Sequence, residues 1–242
     1  MKVIKASAKH THGNATFHVQ ILYPGANLGK TDTGFFTIGR IDHALFKPPG
    51  LVPMHPHQDD EILSYMRSGK MTHQDSTGHE EHLNNSYLML MNAGSGISHE
   101  ESAEEDLEML QIFMRPKENN LSPQVQFHQF ENIYSDNTWR LVAGNQKDAP
   151  LKLRVETDIF DIRLHKNNVI EIPGSNEEVI NFIYCFNGDI KIGNEIITKG
   201  DSVILEEHLP VEAVTKSDLV LFQIKKDAKY SATGMFSGNK FR

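Results

Sequence analysis

A single cysteine, Cys185, stands among the 242 residues, so no intrachain disulfide can form. That fits a reducing compartment. No apolar run approaches the roughly 20 residues that a membrane-spanning helix needs. The opening stretch MKVIKASAKHTHGNATF has no apolar h-region. No signal peptide is expected there, and the expected location is cytoplasmic. Basic residues are in the minority: 24 Lys and Arg against 32 Asp and Glu give a net charge of −8. A general nucleic-acid binder needs a basic surface to release counterions from phosphate, so direct contact with nucleic acid is not expected. Helical periodicity is scarce as well.

What is present is the composition of a soluble globular chain, 38% hydrophobic and 23% charged. Short runs rich in Val, Ile, Phe, Tyr and Leu recur between Gly, Asn, Asp and Pro clusters. GFFTIGRIDHALF, EILSYMRSG, SYLMLMNAG and LEMLQIFMRP fill the first half. LKLRVETDIFDIRLH, VINFIYCFNG, DSVILEE and LVLFQIK fill the second. Strands at this spacing predict an all-β sandwich or barrel. A short helix is expected within SPQVQFHQFENIY, residues 122–134.

The halves resemble each other. Residues 61–73 align with 180–192 when Tyr65 is placed on Tyr184 and Gly69 on Gly188, and residues 84–91 then align with 199–206. Each half reads as strand, glycine turn, strand, polar turn, strand, which predicts a duplicated β-barrel. The joint falls in RPKENNLSPQVQF, residues 115–127, so domains 1–120 and 121–242 are expected.

The chemistry concentrates in two short pieces. In HPHQDDEILSYMRSGK, His55 and His57 are two apart and share one face of a strand. In NAGSGISHEES, His99 and Glu101 do the same. Three imidazoles and a carboxylate suit a first-row metal such as Fe(II), Mn(II), Ni(II), Cu(II) or Zn(II), with coordination positions left over for substrate or dioxygen. The two strands are expected to face one another across a barrel interior. The remaining histidines read differently. His10 and His12 have no ligand company nearby. His73, His79 and His82 lie in a polar stretch, HQDSTGHEEH, and are expected to be solvated, with Asp75 and Gly78 making a turn. Met89, Leu90, Met91, Met109 and Met114 read as core or cavity lining, and Cys185 as an inert core residue.

Gly50, His55, His57, Glu61 and Gly69 resemble the first cupin motif, and Gly96 with His99 resembles the second. The segments HPH and AGSGISHEE are similar to those of the pirin family, in its bacterial quercetin 2,3-dioxygenase branch. That resemblance implies a fold of two cupin-type barrels, with the metal held by His55, His57, His99 and Glu101. Iron(II) is the expected ion, with Cu, Ni, Mn or Zn accepted by the same donors. Glu61 occupies the place of the ordinary cupin carboxylate, and its other reading is a buried group that orients a ligand imidazole. Asp59 and Asp60 depart from the Arg-Gly-Phe of many pirins and leave the substrate open. The activity implied is cleavage of a flavonol by dioxygen, with Glu101 as general base. The alternative implied is a metal-binding, redox-sensing regulatory protein with a protein partner. In the second half the ligand positions fall on Gly174, Asn176 and Val214, so that barrel is expected to hold no metal. Its histidines past the joint, His128, His165 and His208, are isolated in sequence.

Overall fold

The computed structural model describes residues 1–174, 176–207 and 209–241; His208 therefore lies outside the described residues. The chain forms two compact units, Lys9–Ile133 with Tyr230–Arg242, and Met1–Ala8 with Tyr134–Lys229. Each is a curled β-structure of the cupin type, as the duplicated pattern predicts. The parting at 120/121 expected from sequence falls instead at 133/134, and the two chain ends change units. The reason is a strand where a helix was expected. Gln124–Gln129 pairs antiparallel with Tyr87–Asn92, and Val125 and Phe127 pack onto the core of the first unit. Alternation of polar and apolar side chains at 124–129 is a strand pattern, and it overrides the polar, proline-bearing flank. Lys2–Ile4 pairs with Ser202–Leu205 inside the unit formed by Met1–Ala8 and Tyr134–Lys229.

The metal-motif unit is built on one long sheet. Its order runs His10–Gly13, Phe17–Leu22, Ile38–Phe46, Leu107–Met114, Glu61–Ser68, Tyr87–Asn92, Glu80–Asn84, Lys70–Asp75, Ile97–Ala103 and Leu51–His57. Met66, Met71, Leu83, Met89 and Met109 form its core with Phe46. The other unit has a seven-stranded sheet and a four-stranded one, closed over an apolar core that includes Ile183, Cys185, Val203 and Leu221. Gly69 and Gly188 do the same job in the two units. Both have positive φ, 80° and 82°. A Cβ on either would stand 2.4 Å from a backbone oxygen, of Asp106 and Lys216 respectively. Only glycine fits such a turn, and the proposed alignment of the halves is the structural one.

Candidate metal centre

His55 and His57 end the strand Leu51–His57, and His99 lies in Ile97–Ala103. These strands do not face one another across an interior. They are hydrogen-bonded neighbours, with His99 opposite His55 and Ile97 opposite His57. The register then slips, so that Glu101 stands opposite Val52. The extra residue lies at Pro53–Met54, the kind of bulge at which a strand tolerates proline. Lys70–Asp75 pairs along the other side, with Asp75 opposite His99 and His73 opposite Glu101.

The three Nε2 atoms converge. His57 Nε2 is 3.0 Å from that of His55 and 3.0 Å from that of His99. Nitrogen ligands about 2.0–2.1 Å from one ion lie roughly 3.0 Å apart when they are at right angles to each other. The spacing thus fits a shared cation.

The hydrogen-bond network sets the tautomers to match. His55 Nδ1–H donates to Pro53 O at 2.9 Å, and His57 Nδ1–H to Asp60 Oδ2 at 3.4 Å. His73 donates from Nε2 to Asp75 Oδ2 at 3.0 Å, which frees its Nδ1 to accept from His99 Nδ1–H at 3.4 Å. A neutral imidazole has one N–H. Each ligand histidine spends its proton on the outer side and turns an Nε2 lone pair inward. Lone pairs cannot hydrogen-bond to one another, whereas a divalent ion satisfies them together. Burial, with the neighbouring imidazoles, lowers His99 to about 2, and burial lowers His55 as well. Both shifts favour the neutral imidazole, the form a metal requires.

Glu101 is buried beside the trio. Its carboxylate accepts from Gln111 Nε2 at 2.9 and 3.0 Å and lies 4.0 Å from His99 Nδ1. Burial raises it to about 7, against the pull of its hydrogen bonds. Two groups could hold an ion: His55 with His57 and His99, or His73 with His99 and Glu101. The second would have to break the His99–His73 contact, so the first is the better prepared. Glu61 is buried too, but belongs to neither group. Among the described residues, no such group lies in the other unit.

Three supporting residues escape a reading of the sequence. His73 is fully buried, not solvated. Alternation along Lys70–Asp75 turns Met71, His73 and Asp75 inward together. His79 and His82 do keep solvent contact, with side chains 40% and 68% exposed. Asp75 makes the expected turn, accepting from Thr77 N, and anchors His73 as well. Asp60, which the sequence marks only as a departure from the family pattern, is buried. It holds His57 and accepts from Ser237 N and Oγ, each at 2.8 Å. That brings Phe236 of the C-terminal segment onto the His57 ring, with centroids 4.8 Å apart. Replacing His73 by phenylalanine should weaken metal binding about 10–100-fold, because the His99 proton loses its acceptor. Competition against a chromophoric chelator measures this; unchanged affinity would mean that His99 is oriented without His73.

A cavity of about 340 Å³ opens on His55 and His57. His55, His57, Glu101, Gln111, Asp42 and Arg40 give it a polar end, and Phe17, Phe46, Val19 and Met109 are among its apolar walls. His12, which has no ligand company in sequence, also reaches it.

The Pirin family model matches residues 18–114. Quercetin 2,3-dioxygenase of Escherichia coli K12 is 27% identical over 175 residues, 70% of this chain and 74% of the relative. A pirin-like protein of Caulobacter vibrioides is 26% identical over 189 residues, 71% and 68%. The crystal structure of the bacterial pirin YhhW from Escherichia coli in complex with nickel(II) superposes with a TM-score of 0.81, covering 93% of this chain and 98% of that one at 23% identity.

Proposed function

We propose that the chain, whose residues 18–114 match the Pirin family model, is a pirin-type metal-dependent dioxygenase that cleaves a flavonol such as quercetin with O2. One observation carries the reading: three convergent Nε2 lone pairs, two of them on residues that line the polar end of an otherwise aromatic and aliphatic cavity. Iron(II) is the proposed ion; YhhW is in complex with nickel(II), and imidazole donors suit either metal. Once bound, the ion acts as a Lewis acid that acidifies an attached hydroxyl and offers open positions to dioxygen.

The chain's own residues do the rest. His55, His57 and His99 hold the ion, and Glu101 completes the set. Glu101, when it loosens from the ion, is the carboxylate that lines the cavity to take the proton of a flavonol hydroxyl. Phe17, Phe46, Val19 and Met109 position the fused rings and exclude water. Among the described residues no helix is long and apolar enough to cross a membrane.

The test is metal content of protein purified without chelator or added metal, followed by oxygen uptake with quercetin. Roughly one ion per chain and quercetin-dependent uptake are expected. Metal without uptake would overturn the dioxygenase reading. It would leave the site to a redox-sensing, partner-binding role.

A further inference from the structure

The polar end of the cavity carries a group that metal binding does not use. Strand alternation shows which one. Along Ile38–Phe46 the even positions Arg40, Asp42, Ala44 and Phe46 line the cavity. On the two neighbouring strands the odd positions do so, Phe17, Val19 and Ile21 on one and Met109, Gln111 and Phe113 on the other. The registers stack these into rows. Val19, Ala44 and Met109 form an apolar row; Ile21, Asp42 and Gln111 form the next; then Arg40 stands opposite Phe113. Asp42 is therefore the cross-strand partner of Gln111, whose side chain holds Glu101.

Asp42 is buried, at 5% exposure. Its Oδ2 accepts from Arg40 Nη2, while its Oδ1 has no hydrogen-bond partner. The Nε of Arg40 is likewise buried without a partner. That guanidinium is stacked at 4.5 Å over Phe113 and 4.9 Å over Phe236, so it cannot swing away without losing two rings. Burial raises Asp42 to about 6 against the opposing pull of Arg40. At neutral pH the carboxylate is thus ionised and purely an acceptor. Buried polar atoms are normally satisfied, and Asp42, which lines the cavity, keeps carboxylate acceptor capacity for a donor from what fills it.

We propose that Asp42 is the specificity-determining residue of this cavity. It accepts a hydrogen bond from a ring hydroxyl of a polyhydroxylated aromatic substrate, in addition to the oxygen that the substrate offers to the metal end. Arg40 holds the carboxylate in place, and the apolar rows take the ring faces. The inference rests on the flavonol reading for its substrate class.

The test is anaerobic titration of the metal-loaded protein with quercetin and with 3-hydroxyflavone, followed by flavonol absorbance. Both carry the 3-hydroxyl, and only quercetin carries further ring hydroxyls. The wild type should bind quercetin about 10–100-fold more tightly, as a hydrogen bond to a buried charge provides. Asp42→Asn, which can still pair with Arg40, should remove most of that preference and leave 3-hydroxyflavone within about twofold. A preference that survives Asp42→Asn would overturn the proposal, and so would an equal weakening of both ligands. Absence of a preference in the wild type would overturn it even if the variant fails to fold. Binding of neither flavonol would end both this proposal and the flavonol reading. The expected binding pattern with no oxygen uptake on admitting air would uphold Asp42 and sink the dioxygenase.

Discussion

Protein in which His55 and His57 are both replaced by alanine should purify without metal and keep its fold. Two of the three convergent Nε2 atoms disappear, and His99 alone cannot hold a divalent ion against water and buffer. The scaffold survives because it does not depend on those rings. The pairing of Leu51–His57 with Ile97–Ala103 is made by backbone groups. Asp60, which loses the His57 proton, keeps its donors from Phe236 N, Ser237 N and Ser237 Oγ. The truncated His57 leaves a gap against Phe113 and Phe236. A small-chain cavity of that kind costs about 2–4 kcal/mol, less than the stability of an ordinary domain. Elemental analysis and circular dichroism together read the result. Added metal should raise the melting temperature of the wild type and not of the variant, since only the wild type binds it in the folded state. A folded variant with full metal content would move the site to His73, His99 and Glu101.

The histidines and the barrels were legible in the sequence because both rest on local period-two patterning. His55, His57, His99 and Glu101 are pairs spaced to share a strand face, and Gly69 and Gly188 mark hairpins that any chain needing positive φ must mark. What escaped depends on long-range register. Nothing in HQDSTGHEEH distinguishes His73 from His82; the burial of His73 follows from the pairing of Glu101 with it, 28 residues on. The burial of Asp60 leaves no trace in its neighbourhood of sequence, because the C-terminal segment that covers it is 177 residues away. Asp42 sits in an apolar run, where a lone acid announces either a mistake in the strand assignment or a purpose. Only the row that it forms with Gln111 reveals which. The domain joint was misplaced for the same reason: the strand Gln124–Gln129 belongs to its partner Tyr87–Asn92, and flanking prolines say nothing of partners.

Glu101→Gln should reduce quercetin-dependent oxygen uptake more than Glu61→Gln does, by about 10²–10⁴-fold if it is the general base. Glu101 lines the cavity beside the histidines, while Glu61 is buried outside either group of convergent donors. Metal binding offers an independent measure of the same residue. In the metal-free protein burial holds Glu101 at about 7, well above the ordinary 4.5. Below that pH it is protonated, and it must release the proton to bind a cation. Affinity should therefore rise as pH rises from 5 toward 7, with up to about a tenfold gain per unit from this one group, and level off above. His99 is already neutral across that range, because burial lowers it to about 2, so it adds little to the slope. In Glu101→Gln the slope should become shallower by about one proton. An unchanged slope would mean that Glu101 stays hydrogen-bonded to Gln111 and does not touch the ion. If Glu61→Gln instead loses both slope and turnover, the carboxylate is the one at the head of the strand Glu61–Ser68, as in ordinary cupins.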